Sequence, residues 1–296
     1  RRAELWCDGA AIPCTGYLCA GSGEVEAPVY YLTSTDPRSL SQCKGRIVLS
    51  DKPMDYWTYQ DVYEAGALAF ITYNGNVGFA DQDLEQRELW PHISNGRVIP
   101  GVNIHARTAV ELVTGGVKQA RLVLEQDQYQ GLSHNVVADL PGDSEDMIVF
   151  SAHYDSTALS VGVWDNMSGC VGLLALAEYF TTHPHRCSLR FIWTGSEERD
   201  LLGSKAYVSA HAEELDKIEL NVNLDMIGCI TGKFIACCST EEKLVHYITY
   251  MGSELGFPIS VKQDVYSSDS TPFADKGIPA VSFARIAPPP TATIHN

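Results

Sequence analysis

No apolar run in this chain approaches the roughly eighteen residues that a membrane-spanning helix requires, so no such helix is encoded in it. Basic residues are scarce: 21 Lys and Arg stand against 37 Asp and Glu, for a formal charge of −16. A general nucleic-acid binder or a binder of anionic membranes needs a basic face, and this balance argues against both. The nine cysteines include no C-x-x-C pair, which argues against a thiolate zinc knuckle or a thioredoxin-type site. Their odd number also resists a closed disulfide framework and leaves the compartment open. An initiator Met is lacking, and so is an apolar signal core behind Arg1-Arg2, while the last residues, His295-Asn296, follow directly on a proline-rich stretch. The chain therefore reads as a piece or processed form of a longer one, and the missing signal peptide says nothing of location.

What is present suits a globular protein. Of 296 residues, 45% are hydrophobic and 20% charged, enough for one large α/β unit and a smaller module. Residues 24–124 read as short strands between turns. Apolar runs at 29–32, 47–49 and 70–73 are bounded by Gly, Pro, Asp or Asn, and a helix is predicted over 59–66 with Gly66 as its stop. Nothing in this stretch clusters His, Cys and carboxylates.

From about residue 130 the pattern changes to alternating strands and helices. Strands are predicted at 147–151, 189–194, 220–224 and 281–283, and a helix at 168–180. Just beyond the strands stand His153, Glu197 with Glu198, Asp225 and, after a loop, His295. Asp155 and Asp165 complete the set, the latter just before a helix start. In open α/β sheets the carboxyl edge of the strands is where active sites form.

Zinc takes imidazole nitrogen and carboxylate oxygen, and a catalytic site keeps a position for water. Two ions sharing one carboxylate need about five protein ligands, which this set can supply. Each piece has a plainer reading. A lone His-x-Asp is usually a surface turn, paired glutamates at a helix start often only offset the helix dipole, and a histidine near a terminus is often solvated. Their coincidence at four successive strand ends is what points to a metal site. Asn166-Met167-Ser168 also matches the glycosylation sequon, but an Asn beside a metal-binding Asp165 is not expected to carry sugar.

The segments SAHYDS (151–156), WDNMSG (164–169), GSEERDLLGS (195–204), NLDMIG (223–228) and SDSTPF (268–273) resemble the M28 zinc aminopeptidases in order and spacing. The resemblance covers about residues 130–296. GRIVL (45–49), AGA (65–67) with ITYN (71–74), and IPG (99–101) resemble a protease-associated (PA) domain. The implied fold is α/β: a three-layer αβα zinc-peptidase domain with a mostly β PA domain inserted near the N-terminus. Residues 1–23 would be a first piece of the peptidase domain, 24–125 the PA domain and 126–296 the catalytic domain without its closing helix.

The resemblance further implies two zinc ions, one held by His153, Asp165 and Asp225 and the other by Asp165, Glu198 and His295. Glu197 would be the general base for a zinc-activated hydroxide, and Asp155 would orient His153, since a ligating imidazole nearly always donates its second N–H. Two positions depart from the family: Ile294 stands where many members have a tyrosine, and Ser270 where a histidine is often seen. Peptide substrates and removal of an N-terminal residue are expected, with a secreted or extracytoplasmic setting. Carboxypeptidases, glutaminyl cyclases and non-catalytic receptor-like proteins use the same scaffold. None of the six expected positions is lost here, which argues against the last. Oligomeric state is not fixed by the sequence.

Overall fold

The structure, a computed structural model, describes residues 1–79, 84–157 and 160–286. The chain divides into two compact units, Arg1–Gln130 and Gly131–Asn296.

The first unit is built on eight strands: β1 (Arg2–Cys7), β2 (Ala10–Ile12), β3 (Thr15–Gly16), β4 (Gly23–Leu32), β5 (Ile47–Ser50), β6 (Ala69–Asn74), β7 (Gly101–His105) and β8 (Gln119–Glu125). Helices α1 (Pro37–Leu40), α2 (Tyr56–Glu64), α3 (Pro91–Ser94) and α4 (Ala106–Thr114) connect them. The sheet order is β2-β1-β8-β4-β5-β6-β7-β3. Strand β4 joins two modes of pairing, its first half antiparallel to β8 and its last residues parallel to β5. All four residues of β5 are buried, as expected of a parallel strand covered on both faces.

The three apolar runs expected in this region fall in β4, β5 and β6. Helix α2 starts earlier than its apolar pattern suggests, because Asp55 caps it by accepting the Thr58 N–H at 2.8 Å. It ends before Gly66, which takes φ 81°. Residues 1–23, given by the resemblance to the peptidase domain, instead supply β1–β3 to this sheet. Strand β1 pairs with β8 along its whole length, from Arg2↔Glu125 to Cys7↔Ala120.

The second unit carries β9 (Val136–Leu140), β10 (Ser144–His153), β11 (Cys187–Thr194), β12 (Ile218–Leu224), β13 (Lys233–Cys238), β14 (Ile259–Gln263) and β15 (Ala280–Ile286). Its helices are α5 (Ser168–Thr182), α6 (Leu202–Ala210), α7 (Glu242–Glu254) and α8 (Thr271–Ala274). The order is β14-β13-β15-β12-β10-β11-β9. Neighbouring residues of β10 face opposite ways: Val149 packs with Tyr207, Val208 and Phe273 of α6 and α8, whereas Phe150 packs with Cys170 and Leu173 of α5. Helices therefore cover both faces of this sheet.

The four strands expected from sequence are β10, β11, β12 and β15. They lie side by side and parallel, so their carboxyl ends share one edge. Strands β13, which runs antiparallel to β15, and β14 extend the sheet beyond what the apolar pattern suggested.

Candidate metal centre

His153 is the last residue of β10 and is 1% exposed. Its Nε2 lies 3.1 Å from Asp165 Oδ1, 3.5 Å from Asp225 Oδ1 and 3.8 Å from Glu197 Oε2. One ligand atom each from His153, Glu197 and Asp225 falls within 4.8 Å of the others. Asp225 directly follows β12, Glu197 opens the 3₁₀ turn Glu197–Arg199 after β11, and Asp165 sits in the wide turn Val163–Met167 that leads into α5. Adjacent parallel strands thus bring together residues as far apart as 153 and 225.

Two side chains lock the carboxylates in place. Asn166, 1% exposed, donates from Nδ2 to Leu224 O at 2.9 Å and accepts at Oδ1 from the N–H groups of Gly169 and Met226. The turn bearing Asp165 is thereby tied to the strand end bearing Asp225. Gly169 permits the approach, since a Cβ there would meet Leu224 O at 2.3 Å. Asn166 is buried, with its Nδ2 donating to Leu224 O, a poor position for an acceptor of sugar. On the other side, Ser268 Oγ donates to Asp225 Oδ2 at 2.7 Å. Ser268 is itself held by Asn223 Nδ2 at 2.9 Å, and Asn223 Oδ1 accepts from Ser151 Oγ at 2.9 Å. Asp225 Oδ1 is buried with no hydrogen-bond partner among the described residues.

Asp155 departs from its expected geometry. The ring nitrogen His153 Nδ1 lies 3.1 Å from the backbone oxygen of Asp155, whereas the Asp155 carboxylate is 3.7 Å away. That carboxylate instead accepts the N–H of Glu197 at 3.0 Å on Oδ1 and the N–H of Glu198 at 3.2 Å on Oδ2.

The electrostatics are those of crowded anions. Burial pushes the Glu197 carboxyl up, and the carboxylates of Asp269, Asp225 and Glu198 push further, to about 9. Burial alone would lower His153, but the nearby carboxylates of Asp165, Asp225 and Glu197 override it and raise the ring to about 12. A site that draws protons this strongly is short of positive charge. A divalent cation would supply it and would give Asp225 Oδ1 the partner it lacks, at a position where an uncompensated buried carboxylate is costly. With Nδ1 engaged by a carbonyl, Nε2 is left as the ligating atom, and one imidazole with carboxylates is a donor set zinc accepts. The residues present therefore fit zinc.

Of the other expected positions, Glu198 stands beside Glu197 in the same turn, and His295 lies outside the described residues. Asn166, Asn223 and Ser268 were quoted in the sequence segments without a role. Only the fold shows that they hold Asp165 and Asp225. Asp269 is fully buried and accepts from Thr194 Oγ1 at the end of β11, with burial raising its carboxyl. The nine cysteines are all free.

Several known proteins are similar to this chain over most of its length. The aminopeptidase YwaD of Bacillus subtilis (strain 168) is 30% identical over 254 residues, covering 82% of this chain and 54% of its own length. A probable leucine aminopeptidase 2 of Aspergillus oryzae is 31% identical over 170 residues, 56% of this chain and 34% of its own. This chain thus spans about half the length of the first relative and a third of the second. The solved structure of BSAP, a zinc aminopeptidase from Bacillus subtilis, matches 99% of this chain and 73% of that one with a TM-score of 0.80 at 26% identity. The model of peptidase family M28 matches residues 135–296, and the chain belongs to that family.

Proposed function

We propose that this chain is a zinc-dependent aminopeptidase that removes the N-terminal residue of peptides. The observation that carries the reading is His153 set among Asp165, Asp225 and Glu197 at the shared carboxyl edge of parallel strands, with Asp225 Oδ1 left open. Both curated relatives named above are described as aminopeptidases, which favours the amino end over the carboxyl end.

In this reading His153, Asp165 and Asp225 hold one zinc, and Asp165, Glu198 and His295 hold a second. Zinc, when bound, polarises the scissile carbonyl and makes water acidic enough to be a nucleophile near neutral pH. Glu197 accepts the proton that the attacking water gives up and returns it to the leaving amine as the C–N bond breaks. Ser268 fixes Asp225 by one oxygen so that the other remains available. The first unit is proposed as a PA-type module. Among the described residues, the one cluster able to hold a metal is in the second unit.

A panel of peptides with free and blocked N-termini, assayed before and after chelation, tests the proposal. Hydrolysis should be confined to free N-termini, disappear on chelation and return with Zn²⁺. Full activity in a preparation shown to be metal-free would sink it.

A further inference from the structure

We propose that Asn135 is a positioning residue for the metal centre: its side-chain amide closes the base of the loop 195–203 and so sets Glu197 and Glu198 against His153. Its Oδ1 accepts the N–H of Gly195 at 3.1 Å, and its Nδ2 donates to Gly203 O at 2.9 Å. Gly195 directly follows β11 and Gly203 stands in the first turn of α6, so one amide joins both ends of the loop. Both glycines are buried, where a backbone N–H or C=O needs a partner. Asn carries an acceptor and a donor on one short side chain, as this junction requires.

The junction leaves no room for further side chains. A Cβ on Gly203 would meet Gly195 O at 2.4 Å and Asn135 Oδ1 at 2.6 Å, and one on Gly195 would meet His134 O at 2.6 Å. Inside the loop, the Leu201 N–H bonds to Glu197 O at 2.8 Å and the Leu202 N–H to Ser196 O at 3.0 Å. Ser196, Asp200 and Leu201 take left-handed φ of 60°, 71° and 58°, which non-glycine residues adopt rarely. These bonds give the loop its shape. Its tilt on the sheet is set where it leaves β11 and rejoins the fold at α6.

Asn135 is itself anchored on both sides. The residue before it, His134, accepts at its backbone oxygen from Tyr154 Oη at 2.7 Å, and Tyr154 directly follows His153. The residue after it, Val136, pairs with Trp193 as the last step of the ladder between β9 and β11. The ladder ends there, and the Asn135 amide continues the link to Gly195. The ends of β10 and β11, which carry His153 and Glu197, are thus tied to one short segment. Substitution of Asn135 alters how those ends are held and removes no group that ligates the metal. The loss of rate expected from it rests on the proposed aminopeptidase reading, whereas the closure of the loop does not.

The test uses the whole chain. In the wild-type protein the Gly195 amide should be protected from hydrogen exchange, and a scalar coupling should link its nitrogen to the side-chain carbonyl carbon of Asn135. In Asn135→Ala both bonds are lost, and the Gly195 amide should exchange faster. Asn135→Asp keeps the acceptor and loses the donor, so Gly195 should stay protected while Gly203 O loses this partner. The first equivalent of zinc should bind both variants as it binds the wild type. Measured well below the melting temperature and per zinc-loaded molecule, kcat should fall roughly 10- to 100-fold in Asn135→Ala with KM little changed, since a misplacement of about 1 Å can cost about that much. Asn135→Asp should also lose rate, which separates closure of the loop from support of a single amide. Asn135→Gln should not restore it, because the extra methylene displaces the amide. A lowered melting temperature with wild-type kcat in Asn135→Ala would make the residue a stabilising one only and overturn the proposal. So would the absence of the coupling together with free exchange at Gly195 in the wild-type protein, a result that holds even if the variants do not fold. A coupled and protected wild-type protein without peptidase activity would instead count against the peptidase reading alone.

Discussion

Both units bury polar side chains, but the two networks end differently. In the first unit Thr72, 2% exposed, donates to Asn103 Oδ1 at 2.9 Å. Asn103 Nδ2 in turn reaches Asn74 Oδ1, and Asn74 Nδ2 reaches Glu85 at the surface. The chain of bonds starts in the core and runs out to a solvated carboxylate. In the second unit the chain Ser151–Asn223–Ser268–Asp225 runs the other way, from the core into a buried carboxylate whose second oxygen has no hydrogen-bond partner among the described residues. Two buried networks of similar make-up therefore carry different meanings. A network that closes fixes strands, whereas one that stops at a buried carboxylate oxygen facing an imidazole is placed to hold a cation.

The comparison can be broken at several points. The largest effect is expected from Glu197→Gln, which should cost roughly 10²–10⁴ in kcat while zinc content, measured by elemental analysis, stays at the wild-type level. Loss of zinc in that variant would make Glu197 a ligand instead of the base. Next comes Ser268→Ala, which frees Asp225 to turn and should weaken zinc binding roughly 10- to 100-fold in a competition assay with a chelator. Unchanged affinity would mean that the open-ended network has no bearing on the metal.

A third effect follows from proton binding in the zinc-free protein. Glu197 is raised from 4.5 to about 9, burial being the largest cause. His153 is raised from 6.5 to about 12 by its carboxylate partners against the opposing effect of burial. Between those limits the folded state holds more protons than the unfolded one. The stabilisation is thus full below each group's unfolded pKa and is lost as pH rises toward the folded value. The melting temperature of chelated protein should therefore fall between about pH 5 and about pH 9, with zinc giving its greatest stabilisation at the upper end. A melting temperature that rises across this range would contradict the crowded-anion account. The smallest effect on function is expected from Thr72→Val. Leaving Asn103 short of a partner should cost about 1–3 kcal/mol of stability by denaturant titration without altering zinc affinity.

Much of the second unit was legible because its chemistry rides on simple grammar. An apolar run followed by His, Glu-Glu or Asp marks β10, β11 and β12, and parallel pairing of those strands makes their ends neighbours. Side-chain partners were less legible. Ser268 lies 43 residues from Asp225, and no periodicity connects them. Asp155 was given to His153 by the family resemblance, and the ring's Nδ1 lies nearer to the backbone carbonyl of that residue, at 3.1 Å, than to its carboxylate, at 3.7 Å. The early start of α2 depends on the Asp55 cap, which lies outside the apolar pattern. Residues 1–23 hold too short a pattern to reveal that β1 pairs with a strand more than a hundred residues later.

The most direct test of the central claim is zinc X-ray absorption spectroscopy on stoichiometrically loaded protein, compared with Asp225→Asn. The account predicts only nitrogen and oxygen neighbours at about 2.0–2.2 Å, with a single-imidazole signature from His153 at the first equivalent and weaker occupancy in the variant. A sulfur shell near about 2.3 Å from any of the nine free cysteines, or a spectrum unaltered by Asp225→Asn, would contradict it.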